Sequence, residues 1–236
     1  MNDGPGQLNL VAGPIGHLGD LSDRARAALE AADAVVVEDS RVSGRLLAHL
    51  GLKRRMVVVN EHSRPEAVSR LADEIAAGGN WALLTDAGTP GISDPGAQLV
   101  DEVYARGGLV DAIPGPSAVT TALALSGFFA QRFAFLGFLP RKPGPAKSVL
   151  EPFVDSTLTL VLFESPHRYR AVLSLLAETL GSRRYAVCRE LTKMHQQVYR
   201  GEFPVLPTPA EVPDKGEFTL VIEGRRREPT DRLGNI

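Results

Sequence analysis

The sequence predicts an α/β protein of two domains, the first built on a mainly parallel sheet and the second on a mixed one. Three observations carry this. Between residues 7 and 113, short apolar runs alternate five times with helical periodicity, the pattern of a parallel sheet covered on both faces. Near the middle, Pro114-Gly115-Pro116-Ser117 breaks the pattern and reads as a domain boundary or hinge. Beyond it more strands than helices remain, which calls for a mixed sheet. The expected domains are 1–113 and 114–224, with residues 225–236 as a flexible tail lacking any apolar period.

In order, residues 7–11 alternate polar and apolar side chains as a first strand, followed by a helix from Leu21 capped by Ser22 or Asp20. Ala25, Ala28, Leu29 and Ala32 share one face of that helix. The β-branched run 34–37 is a second strand, and a helix over 41–50 stops at Gly51, a good residue just past a helix end. A strand over 56–59, a helix over 66–77 closed by Gly78, and a strand over 81–84 follow. A helix over 97–105, ended by Gly107 and Gly108, and a strand over 109–113 complete the first domain.

After the hinge come a helix over 118–125, a strand over 133–138, a proline-broken loop over 139–145 and a helix from Lys147. A strand over 158–163, a helix over 169–180 ending at Gly181, and strands over 184–190, 197–201 and 218–223 follow.

The stretch 86–96, DAGTPGISDPG, stands out because it follows a buried strand with glycines that leave bare backbone for a ligand. Asp94 and Pro95 are the expected N-cap and first helical residue of the helix behind it. In open α/β sheets, small molecules bind at such strand ends. Three further loops of this character follow other strands.

Composition narrows the functional classes. The 236 residues carry a net charge of −2, which argues against a uniformly basic surface. The distribution is uneven: residues 1–112 carry 10 Lys and Arg against 16 Asp and Glu, the remainder 16 against 12. The second half is the better candidate for facing a polyanion. No apolar run reaches membrane-spanning length and the first residues resemble no leader, so a cytoplasmic protein is expected. The single cysteine, Cys188, falls in an apolar strand and reads as a core residue, and it excludes disulfides and a cysteine-based zinc site. The five histidines show no HxxxH or HxH spacing, so no metal centre is expected.

Familiar motifs fit poorly. Gly13, Gly16 and Gly19 are spaced GxxGxxG, unlike a dinucleotide fingerprint, and the Lys-Ser/Thr of a Walker loop is missing. Neither Ser93 nor Ser117 sits in GxSxG, so a hydrolase is unsupported.

Eight blocks in order do fit one family. They are GPIGHLGDLSDRA at 13–25, VVVEDSR at 35–41, TDAGTPGISDPG at 85–96, PGPSAVTTAL at 114–123, GFLPRK at 137–142, FESPHR at 163–168, RELTK at 189–193 and KGEFTLVIEG at 215–224. Together they resemble the tetrapyrrole methylases, in the branch of the ribosomal RNA small subunit methyltransferase I enzymes. The resemblance implies a two-domain homodimeric enzyme that binds S-adenosylmethionine between its domains. The implied reaction methylates the 2′-oxygen of a cytidine ribose in the 16S RNA of the small ribosomal subunit. Two alternatives stay open: another acceptor such as a tetrapyrrole, and a non-catalytic S-adenosylmethionine-binding module.

Carried over by motif, the cofactor should meet Pro14, Leu18, Asp86, Gly88, Thr89, Ser117, Ala118, Phe163 and Leu191. Leu18, Phe163 and Leu191 serve equally as core residues, Ser117 as a helix cap and Asp86 as a turn former. Glu38, Glu164, Glu190 and Lys193 lie beside strand ends as candidate bases or charges. Among them Lys193 is the first choice for lowering the hydroxyl pKa, with Glu190 as orienter or base; a structural ion pair between them is the alternative. Arg41, Arg141, Lys142, Arg168 and Arg200 are the expected phosphate contacts. Many members of the branch continue past the last block into a helical extension, so RNA affinity is where this sequence is expected to depart.

Overall fold

The computed structural model describes residues 5–93 and 95–226. The chain divides into two compact units, Met1–Ser117 and Ala118–Ile236.

The first unit is a five-stranded, all-parallel sheet in the order β3-β2-β4-β1-β5, formed by β1 (Gln7–Val11), β2 (Ala34–Val37), β3 (Arg55–Val58), β4 (Asn80–Leu84) and β5 (Leu109–Ile113). Strand alternation divides the core. Leu8, Val36, Trp81 and Leu83 pack with α3 (Pro65–Ala76) and α4 (Ala97–Ala105). Val11, Val35, Val37 and Leu84 pack with α1 (Asp23–Ala31) and α2 (Ser40–His49). The central strands β2, β4 and β1 are buried on both faces because the crossovers return helices to each side, while the edge strands β3 and β5 stay largely exposed; a fully buried side chain such as Leu84 contributes about 1.5–3 kcal/mol. Every strand therefore ends at one edge.

The second unit holds α5 (Ala118–Ser126), β6 (Phe133–Phe138), α6 (Pro143–Leu150), β7 (Thr159–Glu164), α7 (Tyr169–Leu180), β8 (Arg184–Arg189), β9 (Gln197–Glu202) and β10 (Phe218–Ile222). Its sheet runs β6-β7-β10-β8-β9, with β6 and β7 parallel and the other pairs antiparallel. Leu160, Leu162, Val187, Leu220 and Ile222 point to α6 and α7. The opposite face meets α5, where the Cys188 thiol lies 3.9 Å from the Ala122 carbonyl oxygen. Burial pushes that thiol up to about 12, as befits a core residue and not a nucleophile. The carboxyl ends of β6, β7 and β8 and the amino ends of β9 and β10 share one end of this sheet.

Three helix starts differ from expectation. α1 begins at Asp23 and not at Leu21, because the Ser22 side chain caps it by accepting from the Ala25 N–H. The N-cap of α4 is Gly96, at φ +124°, and helical residues begin at Ala97, so Pro95 is not the first of them. A side chain at Gly96 would meet the Leu83 side chain at 2.7 Å, which explains a glycine at this cap. Asp94 lies outside the described residues. α6 begins at Pro143, inside the stretch read as loop, because prolines in a first turn forfeit no helical hydrogen bond. Of the expected tail, 227–236 lie outside the described residues, while Arg225 pairs with Asp155 and Arg226 with Glu223. Among the described residues, no helix is long and apolar enough to cross a membrane.

Candidate functional site

At the carboxyl edge of the first sheet, the loops after β1, β4 and β5 interlock through backbone. The Gly13 N–H donates to the Gly88 carbonyl oxygen at 2.8 Å, and the Thr89 hydroxyl donates to the Pro116 carbonyl oxygen at 3.5 Å. Gly88 has φ +76°, and a Cβ there would reach Ile15 at 3.4 Å and the Pro116 oxygen at 3.7 Å. A Cβ on Gly115 would stand 3.0 Å from that of Ala12. The left-handed backbone at Gly88 and the close approach to Ala12 at Gly115 each favour glycine. Pro14, Gly88, Thr89 and the hinge residues up to Ser117 are thereby gathered at the ends of neighbouring strands. Leu18, in the short 3-10 turn Leu18–Asp20, remains 47% exposed, so it is not a core residue of the unit.

Beside this cradle, at the ends of β2 and β4, the edge is acidic. A cavity of about 870 Å³ is lined by Glu38, Asp39, Arg41, Glu61, His62 and Asp86, among others. The Asp39 N–H donates to the Asp86 carboxylate at 3.3 Å. Burial, reinforced by neighbouring carboxylates, raises the pKa values of Glu38 and Asp86. Asp39 is held at about 2 by hydrogen bonds from Arg41. The Arg41 side chain is 85% exposed, yet its guanidinium embraces the Asp39 carboxylate at 2.5–3.1 Å. Such a mouth favours a cation and disfavours phosphate.

The second unit builds its corresponding end from side chains. Glu190 and Thr192 adopt positive φ without being glycine, which turns the chain sharply after β8. Lys193 lies 3.3 Å from Glu190 and 2.9 Å from Glu217, and the Glu217 N–H donates to the Glu190 carboxylate at 3.0 Å. Gly216 makes room: a Cβ there would sit 2.6 Å from the Glu190 side chain. For Glu190, burial is outweighed by the Glu217 N–H and the Lys193 ammonium, which hold its pKa below the usual carboxylate value. For Lys193, burial is outweighed by Glu217 and Glu190, which raise its pKa and keep it a cation. The ion pair left open by the sequence is therefore formed. Glu217 escaped the reading of the residues, although a β10 entering antiparallel beside β8 necessarily brings it there.

Elsewhere in the second unit, Leu191 is buried, Ala118 opens α5, and Phe163 meets Phe135 and Phe138 edge-on at ring separations of 4.9 and 5.8 Å. The expected phosphate contacts do not all gather here. Arg141 and Lys142 are exposed at the end of β6, whereas Arg168 turns inward toward Glu164 and the Leu139 and Pro140 carbonyl oxygens. Arg200 pairs in register with Ala186, toward the opposite end of the sheet, and lies over Phe128 at 5.2 Å. Among the described residues, no three His, Cys, Asp or Glu side chains are placed to hold a metal ion.

Residues 7–206 match the family described as Tetrapyrrole (Corrin/Porphyrin) Methylases. The chain belongs to this family. Its tetrapyrrole methylase relatives include the ribosomal RNA small subunit methyltransferase I of Synechocystis sp., 42% identical over 96% of this chain and 81% of the relative. The protein of the same name from Xylella fastidiosa is 41% identical over 93% of this chain and 82% of the relative. Among solved structures, the methyltransferase CobJ superposes with a TM-score of 0.67 at 17% identity, covering 95% of this chain and 98% of CobJ, which shows the shared fold.

Proposed function

We propose that this tetrapyrrole methylase transfers the methyl group of S-adenosylmethionine to the 2′-oxygen of a cytidine ribose in the 16S RNA of the small ribosomal subunit. The observation that carries the reading is identity of about 40% along nearly the whole chain with relatives named ribosomal RNA small subunit methyltransferase I.

The residues present fit the cofactor. S-adenosylmethionine is a cationic nucleoside that supplies an already activated sulfonium methyl. Pro14, Gly88, Thr89 and Ser117 offer a backbone-rich cradle, Leu18 an exposed apolar surface, and Asp86 with Glu38 a negative field for its positive charge. In the second unit, Ala118 and Phe163 are half-buried apolar residues and Leu191 is a core residue.

Catalysis then rests on positioning and on one charge. Alignment of reacting groups supplies about 7–11 kcal/mol in favourable cases. The ribose hydroxyl is a weak acid; the Lys193 ammonium would stabilise the alkoxide as the hydroxyl proton passes to solvent water, while the methyl group passes to that oxygen and S-adenosylhomocysteine leaves as a neutral thioether. Glu190, with its lowered pKa, is a poor base and a good orienter: with Glu217 it fixes the lysine.

Incubating the protein with labelled S-adenosylmethionine and purified small subunits lacking the modification tests the reading. Label is expected on a cytidine ribose, and Lys193→Ala is expected to slow transfer on the order of a hundredfold. Cofactor that binds but is never transferred would reject the enzyme in favour of a binding module.

A further inference from the structure

We propose that Glu164 and Arg168 form a brace that presents Arg141 and Lys142 to the phosphates of the RNA substrate, and that Arg168 is not itself a phosphate ligand. The inference rests on the RNA-directed function proposed above. It starts from a buried charge. The Glu164 side chain is 1% exposed; one carboxylate oxygen accepts from the Ser165 N–H at 2.8 Å. The other makes no hydrogen bond and lies 3.3 Å from Arg168 Nη2. A carboxylate so placed needs a cation, and Arg168, the N-cap residue of α7, is the one facing it.

The same Nη2 is directed at the carbonyl oxygens of Leu139 at 3.0 Å and Pro140 at 3.2 Å. These carbonyls belong to the turn between β6 and α6. Leu139 is buried in the core, Pro143 starts α6, and between these anchors Arg141 and Lys142 project outward. No ion pair joins either cation to a carboxylate among the described residues, in contrast to Arg41, Arg168 and Lys193. Two cations held on a turn fixed from behind lose little freedom on meeting a phosphate, which favours binding.

The brace and a direct phosphate contact predict different behaviour. By plain electrostatics, Glu164→Gln removes a negative charge near the RNA and should tighten binding. As a brace member it should instead weaken binding about tenfold. Arg168→Lys, which keeps the charge but is one bond too short to carry a nitrogen to the position of Nη2, should weaken it likewise. Neither change should matter further in an Arg141→Ala/Lys142→Ala background, whose salt slope should itself fall by about 0.7 per lost phosphate contact.

Two measurements on the full chain decide it: the rate of limited tryptic cleavage after Arg141, and the affinity for small-subunit RNA as a function of salt. Faster cleavage and weaker RNA binding in Glu164→Gln and Arg168→Lys support the proposal. Unchanged cleavage in the folded variants overturns the brace whatever the substrate. Faster cleavage with unchanged or tighter RNA binding overturns the presentation of the two cations. If the unaltered protein shows no salt-dependent RNA binding, the function proposed above falls, and this inference with it.

Discussion

The two units solve one problem, how to bring loops together at the end of a sheet, by different means. In the first, β1, β4 and β5 run parallel, so their carboxyl ends lie side by side and short loops touch through backbone at Gly13, Gly88 and Gly115. In the second, β10 enters antiparallel between β7 and β8, and the contacts at that end are made by Glu164, Arg168, Glu190, Lys193 and Glu217. Charge follows the same division: the first edge is acidic, while the second displays Arg141 and Lys142, with Lys193 paired to Glu190 and Glu217. A backbone cradle with a negative rim suits a compact cationic nucleoside. A side-chain frame carrying cations suits a polyanion.

The largest effect should come from filling the cradle. Gly88→Val places a β-branched residue at φ +76° and drives its side chain toward Ile15 and the Pro116 carbonyl. Loss of S-adenosylmethionine affinity on the order of a hundredfold is expected by titration calorimetry, with helical content retained by circular dichroism. Unaltered affinity in a folded variant would break the comparison, because the backbone contacts of the first unit would then have no bearing on the cofactor.

The asymmetry between backbone and side chains also explains what was legible in the sequence. Backbone loops announce themselves, since glycine and proline at 13–16, 86–96 and 114–117 have few other uses at strand ends. The parallel order of the first unit follows from alternating runs, with most strand boundaries correct to a residue. Side-chain frames are quieter. Nothing local to Arg168 says that it turns inward, because that depends on Glu164 being buried at the end of β7. Lys193 could not be matched to Glu217, 24 residues further along the chain, without knowing that β10 pairs with β8. Arg200 read as one of a set with Arg141, yet the antiparallel β9 carries it toward the other end.

A smaller effect should follow from the acidic rim. Because burial raises the pKa values of Glu38 and Asp86, their ionised forms oppose folding. The stability linked to their protonation is full below the ordinary carboxylate range and is lost as pH rises through the raised values. Asp86→Asn, which still accepts from the Asp39 N–H, should therefore melt at a higher temperature than the unaltered protein at neutral pH, and this advantage should vanish at low pH. Cofactor affinity should move the opposite way, falling roughly tenfold at neutral pH. Opposed shifts in Tm and Kd mark a charge kept for binding. If both improve together, the rim is only an acidic surface and the electrostatic half of the comparison fails.

The smallest effect separates two arginines that looked alike in the sequence. Arg41 and Arg141 both follow strand ends, but the first is committed to Asp39 within a cluster of carboxylates, and the second projects without a partner carboxylate among the described residues. An ion pair this exposed adds little to stability, and repulsion from Glu38, Asp39 and Asp86 offsets what attraction Arg41 offers a phosphate. Arg41→Ala should leave RNA affinity within about twofold and its salt slope unchanged, whereas Arg141→Ala should reduce the slope by about 0.7. Equal losses of slope in the two variants would mean that phosphate approaches the acidic edge as readily as the basic one. The division of labour between the units would then rest on shape alone.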